Sequence, residues 1–267
     1  MYKDITFTDH QTISFCEITC DDNLIHNPVH MRQLNKQVVV PGMFVFTSAL
    51  VMLREAFIRG ADTLKVFFNS VIHTNETVKI KGDIISERPV EVLLSANNGH
   101  DSFTLKDERS KIYKRAFYYY HDNQGFIRTL DYTELQLDVF GKLTGSFDNL
   151  LNGFLFSIAY ASSALFQAIQ NPLTEVEREI NVLIDKTLNP DKVAPFYQSL
   201  EIFLENGIQP IQPSGQLEYK IDFEREKKNK TYIAHVLCQQ NGQKIYQSDY
   251  KMISVPERLI MRMVRDV

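Results

Sequence analysis

Two hydrophobic patterns divide the chain. The first is strict alternation: Leu217, Tyr219, Ile221 and Phe223 are interleaved with Glu218, Lys220, Asp222 and Glu224. A period of two puts every apolar side chain on one face, as an antiparallel sheet covered on one side requires. The second is an apolar run with no polar face, over 43–58 and again over 150–169. Helices that are apolar nearly all round must be wrapped by other structure. In the first half, strands are predicted over 13–19 (ISFCEIT), near 64–72, over 77–85 and 90–97, and over 102–105 with 111–119. In the second half they are predicted over 136–140 (QLDVF), 199–204, 216–224, 231–237 and 244–253.

The order of elements repeats, and this decides the architecture. Lys111-Ile112-Tyr113 returns as Lys244-Ile245-Tyr246, 133 residues later, each copy following an Asn-Gly turn signal at Asn98-Gly99 or Asn241-Gly242. Upstream, LKVFF (64–68) parallels LEIFL (200–204), and Gly42 and Gly153 each open an apolar helix. A long central helix enclosed by a curved antiparallel sheet is the hot-dog arrangement. Two such units give an α+β, double hot-dog chain, expected to divide into 1–125 and 126–267, with the join near 122–135. The second unit carries about 25 extra residues, roughly 171–197, between its helix and next strand. A connection that long usually signals function or mobility, and it reads as a lid or flank.

Composition narrows the function. With 267 residues, 44% hydrophobic and 23% charged, the chain can bury a core. A net charge of −4 argues against general nucleic-acid binding, which needs clustered positive charge. Three cysteines, Cys16, Cys20 and Cys238, make no metal-ligand pattern. On a strand, Cys16 and Cys20 would share a face and fill a core. The opening MYKDITFTDH has no signal-peptide run, and the apolar stretch 153–169 carries Ser157, Ser162, Ser163 and Gln167, too short and polar for a good membrane span. A soluble, reduced, cytoplasmic protein is expected, with no cofactor or metal, acting as a monomeric double hot-dog or a homodimer.

The chemistry concentrates in 21–43. Asp21, Asn23 and His26 precede a Pro41-Gly42-Met43 helix start. Hydrating an enoyl thioester, or dehydrating its 3-hydroxyacyl counterpart, needs proton movement at C2, activation or release of water at C3, and a donor for the negative charge that develops on the thioester oxygen. An imidazole and a carboxylate five residues apart on a short turn supply the acid–base work. The unpaired N–H groups at the start of the helix supply the donor, and Gly42 lets a thioester approach the backbone.

Asp21-x-Asn23-x-Ile25-His26 resembles the Asp-x-Asn-Pro-(aliphatic)-His signature of MaoC-like dehydratases and R-specific enoyl-thioester hydratases, in which a Gly-Met pair follows at the helix start as Gly42-Met43 does here. The resemblance covers roughly 12–120 and includes 68–78 (FNSVIHTNETV), similar to the family's Phe-x-x-Pro-Val strand. It implies an (R)-specific hydro-lyase on acyl thioesters linked to CoA or acyl carrier protein, in fatty-acid or polyketide metabolism. Asp21 and His26 would be the catalytic pair, with Asn23 orienting them. Gly42 would contact the thioester oxygen, with Met43 beside it. The sequence departs from the pattern at Leu24 (for proline), Arg32 (for a small residue) and Pro41 (for a frequent His), departures that bear on substrate and rate.

Two other readings compete. Acyl-carrier-protein dehydratases, also hot-dogs, are more faintly similar through His26-Asn27-Pro28 and Pro41-Gly42, but Thr47 stands where their helix acid should be. A hot-dog thioesterase would want a carboxylate on the central helix, and 43–53 has none before Arg54 and Glu55. A non-enzymatic partner subunit of another dehydratase is the remaining alternative. Outside the segment the plain readings prevail: His30 as surface or supporting residue; His73, His100, His121 and His235 as structural; 117–120 as strand packing; and 226–230 as a solvated hairpin turn. The second half, with no copy of the signature, is expected to shape the acyl pocket, through the small residues Gly153, Ala159, Ala161, Ser162 and Ser163 of its central helix.

Overall fold

The computed structural model describes residues 2–52, 63–87, 90–97, 101–107, 126–170, 193–204, 207–225, 231–256 and 262–267. The first half runs β1 (Tyr2–Thr6), α1 (Asp9–Thr19), a 3-10 turn (Leu24–His26), α2 (Pro28–Gln33), α3 (Gly42–Leu50), β2 (Thr63–Phe68), β3 (Thr77–Glu87), β4 (Val90–Asn97) and β5 (Asp101–Asp107). The second runs β6 (Phe126–Tyr132), α4 (Glu134–Thr144), α5 (Asn149–Gln170), β7 (Val193–Phe203), β8 (Gly215–Arg225), β9 (Thr231–Gln240) and β10 (Gln243–Pro256).

Two predicted strands are helices. ISFCEIT lies in α1 and QLDVF in α4. The β-branched residues of 13–19 favoured a strand, but both helices start with a capping box that outweighs that preference. Thr8 and Gln11 exchange side-chain and backbone hydrogen bonds, and Thr133 and Gln136 do the same. The buried positions, Thr12, Phe15 and Thr19 in α1 and Leu137, Phe140 and Thr144 in α4, recur at helical spacing. Cys16 and Cys20 accordingly do not fill a core together: Cys16 is half-buried, and Cys20 is the exposed left-handed cap of α1 (φ 57°).

The repeat is deeper than its motifs. All ten strands join one antiparallel sheet in the order β1-β3-β4-β5-β2-β7-β10-β9-β8-β6. Counted inward from its edge, each half contributes first, second, third, fourth and last its equivalent strands. The halves meet where β2 pairs with β7, so the matching segments LKVFF and LEIFL lie side by side: Leu64 faces Ile202, Lys65 faces Glu201 and Val66 faces Leu200. Lys65 Nζ stands 4.0 Å from Glu201 Oε2. β7 begins at Val193, so the end of the expected 171–197 insertion is strand. The rest of that insertion, the predicted strand at 111–119 with its Lys111-Ile112-Tyr113 copy, the aromatic run 117–120, the turns at 98–99 and 226–230, and His100 and His121 lie outside the described residues.

The core sits between the sheet and the helices. Phe15 of α1 stacks on Phe44 of α3 at 4.5 Å, and Phe140 of α4 meets Phe156 of α5 edge-on at 5.5 Å, so in each half an aromatic pair joins the first helix to the central one, with different ring geometry. α5 is the only described helix long and apolar enough to cross a membrane, and 89% of its apolar window is buried inside the protein, as a core helix requires. Around it, Tyr219 and Tyr246 donate hydrogen bonds to the carbonyl of Ser157 (2.9 and 3.0 Å), so their buried hydroxyls are satisfied. Leu217, Tyr219 and Ile221 are buried as their alternation requires.

Candidate active site

The halves differ after the first helix. In the second half, α4 ends at left-handed Gly145, and Asp148 caps α5 at once, accepting from the N–H of Leu151 at 2.8 Å. In the first half, α1 ends at left-handed Cys20, and some twenty residues intervene before α3. That inserted segment carries Asp21, Asn23 and His26, and the start of α3 behind it carries Gly42 and Met43.

Each is held by a local device. The N–H groups of Cys20 and Asp21 both reach back to the carbonyl of Cys16, which fixes the direction in which Asp21 leaves the helix. Asp21 Oδ1 accepts from the N–H of Asn23 at 3.1 Å. Asn23 caps the 3-10 turn, its side-chain oxygen accepting from the N–H of Ile25 at 3.4 Å. It therefore shapes the turn that joins Asp21 to His26. Asn27 begins α2 in the same way, accepting from Val29 and His30.

His26 is 8% exposed, and its ring orientation is decided by one bond. Nδ1 lies 2.7 Å from the carbonyl oxygen of Val39. A carbonyl can only accept, so Nδ1 carries the proton and Nε2 of the neutral ring presents a lone pair. Nε2 stands 3.8 Å from Asp21 Oδ2, too far for a direct bond. Two proton acceptors thus stand side by side, and a water seated on their cavity side, off the line between them, can donate to both. The Asp21 and His26 side chains are 10% and 9% exposed.

Both groups open into a cavity of about 110 Å³, which Asn23, Gly42 and Met43 also line. Pro41 stands at the N-cap of α3 with no side-chain cap, and its carbonyl accepts from Phe44 and Val45. The N–H groups of Gly42 and Met43 precede that first intrahelical bond, and Gly42 is exposed to the cavity. A Cβ on Gly42 would lie 3.0 Å from the Phe68 ring, so glycine keeps this wall open. The five residues singled out from the sequence therefore share one cavity. Leu24 and Arg32 do not line it: Leu24 is exposed, and Arg32 pairs with Asp9 at 2.6 Å. His30 is half-buried and also off the cavity wall. Thr47 is buried, its hydroxyl donating to the carbonyl of Met43 at 2.8 Å, so it offers no acid.

The second half closes the cavity with Ser162 and Phe166 of α5 and Phe196 and Tyr197 of β7. Tyr197 donates to the carbonyl of Ser162 and accepts from its hydroxyl, both at 3.0 Å. Burial holds its phenol well above the ordinary range, with the negative charge of Asp21 adding to the effect, so it stays protonated. Of the small residues expected to shape the acyl pocket, only Ser162 reaches the cavity. Gly153 instead packs so closely on Ile211 that a Cβ would come within 2.5 Å of it. Sequence reasoning missed Tyr197 and the Val39 carbonyl, and it singled out Phe68 only as the start of the 68–78 segment, without a place in the cavity wall. A backbone acceptor has no residue-type signature, and nothing near Tyr197 marks it among twelve tyrosines.

No protein-family profile matches the chain, and no curated protein does. Solved structures do. A MaoC-like dehydratase from Phytophthora capsici is 11% identical, covering 94% of each chain with a TM-score of 0.58. A MaoC domain protein from Chloroflexus aurantiacus is 9% identical, with 96% of this chain and 93% of that one matched and a TM-score of 0.61. A conserved Mycobacterium tuberculosis protein described as having a double hot-dog fold is 9% identical over 95% and 94%, with a TM-score of 0.60. The fold is a double hot-dog. At such identities the double hot-dog likeness carries the architecture, and the chemistry has to be argued from the residues in the cavity.

Proposed function

We propose that the chain is a hydro-lyase that interconverts 3-hydroxyacyl and trans-2-enoyl thioesters, with Asp21 and His26 as its acid–base pair. The observation that carries this reading is the His26 ring, locked by Val39 so that its Nε2 stands 3.8 Å from Asp21 Oδ2, both acceptors open to the cavity beside the start of α3.

In the hydration direction, a water donates one hydrogen bond to Asp21 and one to His26, which turns its lone pair towards C3. As the oxygen adds to C3, one proton passes to the pair and the alkene electrons move onto the thioester oxygen. The N–H groups of Gly42 and Met43 stabilise that oxyanion, a type of interaction worth about 3–4 kcal/mol per donor in closed sites. The held proton then passes to C2, completing addition of H and OH. Dehydration runs the same steps in reverse. Asn23 keeps the turn that spaces the two acceptors. The 1–125 half supplies the chemistry, and the 126–267 half, through Tyr197 and Phe166, supplies the wall against the acyl group. The (R) configuration, the CoA or acyl-carrier-protein carrier and a place in fatty-acid or polyketide metabolism belong to this proposal.

The test mixes the protein with crotonyl-CoA and longer enoyl-CoA thioesters and follows loss of the enoyl absorbance, repeated with carrier-protein thioesters. Turnover abolished by His26→Ala supports the reading. Turnover unaffected by Asp21→Asn and His26→Ala alike would refute the site.

A further inference from the structure

We propose that residues 262–267 act as a clasp that positions the His26 imidazole, by fixing Val39, whose carbonyl receives the Nδ1 proton. Val39 does not belong to a regular strand. It is held on one side by 72–74: Val39 bridges His73, Val40 donates to the carbonyl of Ile72 at 2.8 Å, and Thr74 donates to that of Val38 at 2.9 Å. On the other side the chain just before it, 35–37, pairs with 265–267. Gln37 donates to the carbonyl of Arg265 at 2.9 Å, Val267 donates to that of Asn35 at 3.2 Å, and Lys36 reaches Asp266 at 2.6 Å.

Beneath these bonds lies a small core of its own, separate from the main one: Met31, Val38, Val39 and Val264, with Ile25 and Val71 packed against it. Val264 is 2% exposed, and among the described residues it is the member from outside the 25–39 and 71 regions. It therefore shares a core with the acceptor Val39 and with Ile25, the turn residue that precedes His26. A third contact locks the clasp in place. The N–H of Arg265 lies 3.4 Å from Nε2 of buried His73, and its guanidinium pairs with Glu76. Val39 is also tied to the turn, its N–H donating to the carbonyl of Ile25 at 3.0 Å, and the clasp adds the hold on the chain that leads into it. Releasing that hold would let the Val39 carbonyl turn from Nδ1 and the imidazole tilt, and ångström-scale misplacement of a catalytic group costs rate rather than binding.

The experiment uses the full chain labelled with 15N-histidine, the His26 signals being assigned by their loss in His26→Ala. Long-range 1H–15N spectra report which ring nitrogen holds the proton, independently of any activity. In the wild type we expect a single Nδ1–H tautomer. Val264→Asp should replace it with a tautomer mixture while far-UV circular dichroism stays unchanged, and Val264→Ile should restore it. Should Val264→Asp fail to fold, Val264→Ala gives the same readout with a smaller shift. Met263→Ala, at a half-exposed neighbouring position, serves as the control. The kinetic arm rests on the hydratase reading: kcat should fall about ten- to a hundred-fold with KM nearly unchanged. A folded Val264→Asp protein with the wild-type His26 tautomer overturns the clasp. A wild type inactive on every thioester overturns the hydratase reading and leaves the spectra to decide the clasp.

Discussion

Replacing Asp21 by asparagine separates chemistry from structure. The new side chain keeps an oxygen at the Oδ1 position, where Asp21 accepts from the N–H of Asn23, so the turn retains its tether. At the Oδ2 position it places an NH2 donor 3.8 Å from the His26 Nε2 lone pair. A donor there cannot take a proton from water, and it turns an N–H towards the water that the pair would share. Losing a positioned general base costs about 10²–10⁴ in rate, or roughly 3–5 kcal/mol of transition-state stabilisation. Stability should barely move, because volume and hydrogen bonding are conserved. The assay is enoyl-thioester turnover beside a thermal melt. Because the two acceptors share one water, Asp21→Asn and His26→Ala should be strongly non-additive, the double variant being little slower than the worse single. Fully multiplicative losses, or Asp21→Asn activity within a few-fold of wild type, would show that the carboxylate takes no part in the proton transfer.

The remaining predictions probe the walls and the sheet. Gly42→Ala puts a methyl 3.0 Å from Phe68 at the cavity wall and should lower kcat/KM by about ten-fold, with little change in Tm. Gly153→Ala drives a methyl to 2.5 Å from Ile211 far from the dyad, and chemical denaturation should show a loss of about 1–3 kcal/mol with normal kcat. His235 has its pKa raised from 6.5 first by its 2.7 Å hydrogen bond to Asp249, with Glu224 contributing further. A raised folded-state pKa gives stability that is full below the unfolded value and is lost as pH rises through the folded one. Tm measured from pH 5 to pH 9 should therefore fall more in the wild type than in His235→Gln, and parallel profiles would contradict the pairing.

The sequence made the duplication, the buried central helices and most strands legible, because a period of two and an all-round apolar run are strong signals. It misled at 13–19 and 136–140 for one shared reason: short β-branched or mixed stretches are decided by what flanks them, and the flanks were Thr8–Gln11 and Thr133–Gln136 capping boxes. The error recurred because the two segments are counterparts. Asp21, Asn23, His26, Gly42 and Met43 were readable as a set, since proton-transfer chemistry demands particular side chains. Val39 and Tyr197 were not: one acts through its backbone, and the other arrives from the far half through the β2–β7 pairing. Leu24 and Arg32 looked like substrate determinants by position in the motif, yet a 3-10 turn and an ion pair with Asp9 point them elsewhere.

The Lys65–Glu201 pair at the seam has a meaning for ancestry. On the axis of a symmetric homodimer a residue meets its own twin, so a lysine would face a lysine and a glutamate a glutamate, and like charges directly opposed weaken a sheet. Opposite charges at that point are open only to two halves free to mutate apart. The seam thus records a commitment: neither half of this chain could return to self-pairing there without bringing identical charges together.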